Sequence, residues 1–174
     1  MTAELEMDLV CEADGWPADA EAVVERAVMA AWQAEGGADE GREAELSLVL
    51  SDDASVQELN REWRGKDKPT NVLSFPADDE DEAPLPGMPR MLGDIVLALE
   101  TVSREAREQN KSFDHHLTHL VIHGLLHLIG YDHIEDDEAE IMEALEIKLL
   151  AGMGISNPYE GGYQAPDAEF GQTG

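Results

Sequence analysis

All six histidines of this 174-residue chain lie between positions 115 and 133, and five of them fall inside Phe113 to Ile129, a segment that is apolar nearly all round. A helix with apolar residues on every side is stable only when buried on every side. The sequence therefore predicts one central helix over Phe113–Ile129, around which the rest of the chain must be built. His123 and His127 are four residues apart, so they project from one face of that helix about a turn apart, near enough to share a metal ion. Gly130 follows three residues later, where a left-handed residue can end the helix and let Tyr131-Asp132-His133 fold back toward the pair. His123, His127 and His133 are the predicted metal ligands and, with them, the predicted catalytic residues.

The long zinc motif of the metzincin proteases has its histidines and its glycine at the same relative positions. The glutamate that serves there as general base, directly after the first histidine, is Gly124 in this chain. Three neutral imidazoles leave a zinc ion its full charge and an open fourth position for water, whose pKa then falls from about 15.7 toward about 7. That describes a catalytic rather than a structural Zn2+, one per chain, although nickel, copper and iron also suit imidazole. A plainer reading stands beside it, because a buried histidine on an apolar helix is often only a hydrogen-bonded core residue. His119, one turn before His123, reads equally as a group behind the ligands, as a proton carrier or as such a core residue. His116 reads as core and His115 as solvent-facing. Asp132 either orients a ligand imidazole through its other nitrogen or serves only the turn beside Gly130.

The length suits one domain able to bury a core, expected over 1–155, with 156–174, rich in Gly and Pro, as a disordered tail. With 43% apolar and only 5% aromatic residues, that core should be Leu, Val, Ile, Met and Ala. The single cysteine, Cys11, cannot form an internal disulfide and is expected to be a small buried hydrophobe in a strand. No signal peptide and no run of roughly 18 apolar residues is found, so a cytoplasmic protein with no membrane partner is expected. The net charge of -28 argues against a nucleic-acid partner. Its distribution does not, since four of the eleven basic residues, Arg61, Arg64, Lys66 and Lys68, fall within eight positions.

Along the chain, Leu5–Val10 and Glu45–Leu50 alternate apolar with polar as half-buried strands do. Asp14-Gly15-Trp16-Pro17 breaks the first and opens a helix over Ala18–Glu35, which Gly36-Gly37 stops. Ser51, Asp52 and Asp53 offer caps for a short helix to Trp63 that carries the basic cluster at its end. Val72–Phe75 and Asp94–Leu99 complete the strands, separated by a loop of prolines and of carboxylates at 78 to 82. The charged pattern of Glu100–Gln109 suggests an exposed helix, and Glu135–Gly152 a last helix with Ile141, Leu145 and Leu149 facing in.

The run HGLLHLIGYDHIEDDEAEIMEALE, from His123 to Glu146, resembles the signature of the YbeY family of bacterial endoribonucleases. LNREWRGKDKPTNVLSFP, from Leu59 to Pro76, and Leu92-Gly93-Asp94-Ile95 resemble two further motifs of that family in the same order, so the likeness covers about residues 45 to 159. It implies an α+β fold with a small mixed four-stranded sheet, about five helices and a metal site at the end of the central helix. It also implies zinc on the three histidines and a single-strand-specific cut that matures the 3′ end of small-subunit rRNA. The partners implied are single-stranded RNA, rRNA, the small ribosomal subunit with its protein beside that RNA end, and the GTPase Era. Arg64 matches the family's functional arginine, and a guanidinium fork suits the negative charge that builds during phosphodiester cleavage. Arg61, Lys66 and Lys68 would extend a backbone track, and Ser74 and Asp94 are candidate pocket residues from the strands. Two other functions are weighed. A metalloprotease-like hydrolase would lack its proton acceptor at Gly124, and a non-catalytic ribosome-binding factor would use its metal only for stability.

Overall fold

The computed structural model describes residues 5–36, 44–76, 90–129 and 136–158. The segment expected as a Pro-rich and acidic loop, residues Gly130, Asp132 and His133, and the residues from 159 onward lie outside them. Strands β1 (Leu5–Cys11), β2 (Ala44–Ser51), β3 (Val72–Pro76) and β4 (Arg90–Ala98) form one sheet in the order β1-β2-β4-β3. β1 pairs with β2 and β2 with β4 in parallel, whereas β3 runs antiparallel to β4 as an edge. The mixed α+β architecture is as expected.

Alternation along the strands decides what covers each face. Leu46, Leu48 and Leu50 of β2, Ile95 and Leu97 of β4 and Val72 of β3 point to the side occupied by helices α1 (Ala20–Ala31) and α4 (Phe113–Ile129), where the main core forms. Val49, Leu73, Phe75, Val96 and Ala98 point to the other side and meet Val56 and Leu59 of helix α2 (Asp53–Arg64) in a second, smaller core. The Asp52 side chain accepts from the Ser55 N–H at 2.9 Å and starts α2, and Gly65 ends it in the left-handed conformation at φ 71°. α4 spans the predicted residues, and all of His116–Leu128 is buried.

Four expectations need correction. The first helix keeps α-geometry only to Ala31 and widens into a π turn over Trp32–Gly36, where the indole of Trp32 joins the core. Cys11 is exposed, because it sits at the end of an edge strand rather than in its covered middle. Helix α3 (Leu99–Glu108) is not exposed all round: its small residues Thr101, Val102 and Ala106 are buried. In helix α5 (Asp136–Gly152) the inward residues are Met142, Glu146 and Leu150, with Leu145 and Leu149 flanking the core, and Ile141 is 56% exposed. A charged residue, Glu146, thus takes the central inward position of α5, and the reason lies on α4. Among the described residues no helix is long and apolar enough to cross a membrane.

Candidate active site

The helical spacing of α4 lines His116, His119, His123 and His127 along its length, all of them buried. Glu146 reaches in from α5 and is sealed from solvent at 0% exposure. Its Oε1 lies 2.6 Å from His119 Nε2, and both its oxygens lie 3.4 Å from His123 Nδ1. Burial alone would raise the Glu146 carboxyl, but its hydrogen bonds with His119 and His123 outweigh that and hold it well below the usual carboxylate range. Burial pushes His119 down, against the pull of Glu146. Together the two directions describe an ionised carboxylate accepting a hydrogen bond from a neutral His119 imidazole.

An ionised Glu146 can only accept, so Nδ1 is the donor on His123, and in the neutral ring that leaves the lone pair on Nε2, 3.0 Å from Nε2 of His127. Two nitrogens at this separation share either one proton or one cation. Ligands of one tetrahedral zinc, each about 2.0–2.1 Å from it, stand roughly 3.3–3.4 Å apart, so the pair fits a common ion after a few tenths of an ångström of adjustment. A carboxylate behind a ligand imidazole is the usual arrangement around such metals, fixing ring orientation and tautomer. The two imidazoles, with Glu146 behind His123, therefore fit a zinc ion. Among the described residues no three ligating side chains gather at one point; the third predicted ligand, His133, lies outside them, as does Asp132.

Gly124 has a packing reason. A Cβ built there would stand 3.1 Å from Ser74 Oγ and 3.3 Å from Ile95 Cδ1, so α4 lies against β3 and β4 at this point and a side chain would have to push them away. The protease glutamate has no room at that position. Ser74 is accordingly on the histidine side of the sheet, buried against α4. Asp94 is not: it is paired with Phe75 and points to the opposite, α2-covered side, where burial raises its carboxyl and a hydrogen bond with Ser47 partly offsets the rise. Strand alternation separates these two candidates, and Asp94 does not join the histidines.

The basic cluster is held by residues the motif reading had not singled out. Asn60, 1% exposed, donates from Nδ2 to the Lys68 carbonyl at 2.8 Å, and its own carbonyl accepts from the Lys66 N–H at 3.2 Å. Gln57 Nε2 donates to the Asp67 carboxylate at 3.0 Å. The loop after α2 is thereby tied to the helix that precedes it. Arg61 and Lys68 are exposed, while Arg64 and Lys66 are half-buried. α2 lies on the sheet face opposite α4, but its end passes over the edge strand, where Trp63 meets Phe75 edge-on at 6.4 Å. Phe75 adjoins Ser74, which faces Gly124 beside His123. The helix end bearing Arg64 and the histidine pair thus flank the same edge strand.

Further back on α4, His116 Nε2 lies 2.8 Å from Glu105 of α3, which also accepts from Asn71 Nδ2 at 2.9 Å. His116 is thus a core histidine bonded through Nε2, and His115 is exposed. His119 is more than that, because its carboxylate partner also holds His123. The residue that sequence reasoning missed is Glu146. Its only signal was a carboxylate at a helical position flanked by apolar residues, at the end of the quoted motif.

Residues 12–154 match the family model described as Endoribonuclease YbeY. An Endoribonuclease YbeY of Rhizobium etli is 52% identical over 165 residues, covering 91% of this chain and 95% of that protein. Another, of Bradyrhizobium diazoefficiens, is 56% identical over 155 residues, covering 87% and 84%. A Thermotoga maritima protein whose structure was solved in solution superposes with a TM-score of 0.55 at 28% identity, over 91% of this chain and 99% of its own. The chain belongs to the YbeY family of endoribonucleases.

Proposed function

We propose that this protein is a metal-dependent endoribonuclease that cuts single-stranded RNA in rRNA processing, maturing the 3′ end of small-subunit rRNA. The observation that carries the reading is the 3.0 Å approach of His123 Nε2 to His127 Nε2 with Glu146 behind His123. His123, His127 and His133 would hold the ion, taken as zinc, with the other metals that imidazole suits as substitutes. Bound there, zinc supplies a Lewis acid and a water of lowered pKa. Glu146 keeps the His123 lone pair aimed at the ion and, being ionised and enclosed, offsets part of the positive charge. Arg64, on a helix end pinned by Gly65 and Asn60, places a guanidinium fork where the scissile phosphate gathers negative charge. Arg61, Lys66 and Lys68 meet the neighbouring phosphates. His119 acts through Glu146, and Asp132 is assigned to the imidazole of His133.

The small ribosomal subunit and the GTPase Era are the partners proposed, in the cytoplasm. A protease reading is disfavoured by Gly124, whose packing leaves no room for the carboxylate that peptide hydrolysis needs. The test is to incubate metal-loaded protein with single-stranded RNA ending in a small-subunit rRNA 3′ sequence, beside chelator-treated protein and the Arg64→Ala and His123→Ala variants. Cleavage by the metal-loaded wild type alone is expected. Absence of cleavage, with ribosome binding kept by every folded variant, would favour a non-catalytic binding factor.

A further inference from the structure

The chain has three tryptophans, and two have evident structural work. Trp32 is buried in the core, and Trp16 donates from Nε1 to the Ser51 carbonyl at 3.0 Å while packing against Phe113. Trp63 is 59% exposed, more than any other large apolar residue among those described. Its ring meets Phe75 edge-on at 63° between the planes, and most of the indole is left to water. An aromatic side chain that could bury 150–250 Å² is thus held open on the surface, where a polar residue would serve a helix end as well.

Its neighbours indicate the occupant. Arg61 and Arg64 lie on the same last turn of α2, and Lys66 and Lys68 follow on the loop that Asn60 and Gln57 tie down. Cations at a helix C-terminus are favoured by the helix dipole alone, so the arginines by themselves would mean little. The dipole gives no reason for a tryptophan between them. On a chain of net charge -28, this is where basic residues concentrate around an open π-face. Cations spaced along a backbone with an aromatic surface between them are the requirements of a single-stranded polynucleotide.

We propose that Trp63 is a stacking platform for one base of the single-stranded RNA, next to the phosphate that Arg64 contacts. It contributes affinity and placement rather than chemistry, and it favours an unpaired strand, because a base in a duplex has no free face to offer. The inference rests on single-stranded RNA being the substrate.

The test uses the full metal-loaded chain under rapid mixing, reading tryptophan emission before cleavage, with a single-stranded RNA and an abasic oligomer of equal length. Wild type should show quenching by the RNA. Trp63→Phe should lose most of the quenching yet bind nearly as well, and Trp63→Ala should bind the RNA roughly 5- to 150-fold more weakly, as expected for the loss of one stacked base. The salt dependence of binding should be the same in all three, because no phosphate contact is removed. The abasic oligomer should bind wild type and Trp63→Ala alike, and in steady state Trp63→Ala should raise KM far more than it lowers kcat. Wild-type affinity for RNA in Trp63→Ala, unchanged quenching in Trp63→Phe, or equal weakening toward the abasic oligomer would each overturn the stacking role, the last by showing that Trp63 supports the backbone track or a protein contact instead. A wild type that binds no single-stranded RNA would overturn the substrate reading itself, and the stacking role with it.

Discussion

His119 Nε2 lies 2.6 Å from the Glu146 carboxylate, and neither side chain reaches solvent. A carboxylate placed in a helix core, against the cost of burying its charge, is tolerated only because two imidazoles donate to it. Replacing Glu146 with Ala should cost about 1.5–3 kcal/mol for each charge-assisted hydrogen bond lost, less whatever the two histidines regain from each other or from water. Glu146→Gln keeps the shape and should cost less, while both variants weaken zinc roughly 10- to 100-fold through the freed His123 ring. Urea unfolding and zinc titration separate the two effects.

Acid should unfold the metal-free protein in a predictable direction. His119 is lowered from 6.5 and Glu146 from 4.5, so at both groups the unfolded chain binds protons that the native one resists. Glu105 is also lowered from 4.5, since its hydrogen bonds from His116 and Asn71 outweigh the opposing effect of burial. The stability these groups contribute is full above pH 6.5, starts to fall below it as His119 would charge in the unfolded state, and falls faster below 4.5. Carboxyls that burial raises, Asp94 among them, act the other way, so the wild-type urea midpoint taken relative to that of His119→Gln should trace that curve from neutral pH downward, and a difference that grows on acidification below 6.5 contradicts it.

Gly124→Ala is expected to destabilise even though alanine is the better helix former. The new Cβ would press on Ser74 Oγ at 3.1 Å and on Ile95, and overpacking of this kind costs about 1–3 kcal/mol against a helix-propensity gain of about 1. Adding Ser74→Ala should return part of the loss. A double-mutant cycle on thermal unfolding tests the contact, and strict additivity would place the strain elsewhere.

Asn60→Ala removes the side-chain tie to Lys68 and should cost about 1–2 kcal/mol, with weaker RNA cleavage and unchanged zinc affinity. Arg64→Lys keeps the charge without the planar fork and should recover little of the roughly 100-fold loss in kcat expected of Arg64→Ala. Metal content should be the same in all three.

The helices and strands were legible because their periodicities are strong: α4 is as long as its apolar run, and Asp52 and Gly65 bound α2 as a cap and a stop should. What escaped the sequence depends on neighbours. Glu146 reads as one more surface carboxylate on an acidic chain until α5 is set against α4, and only then does the inward stripe turn out to run through Met142, Glu146 and Leu150 rather than Ile141. Cys11 was misjudged, and Asp94 was not separated from Ser74, because alternation alone does not reveal that a position lies at a sheet's rim or on its second face. Gly124 was noticed for the carboxylate it lacks, and its packing reason needed Ser74 and Ile95 in place.

On the proposed reading, the imidazoles on α4 hold the ion that makes the chain a nuclease. Zinc stoichiometry by equilibrium dialysis, measured beside RNA cleavage on the same samples of wild type, His123→Ala and His127→Ala, tests it most directly. Expected are one zinc per chain in the wild type, loss of tight zinc and of cleavage together in both variants, and a metal-free fold kept in each by circular dichroism. A folded variant that still binds zinc as the wild type does, or that cuts RNA without it, would show that these imidazoles are not the metal ligands of a nuclease.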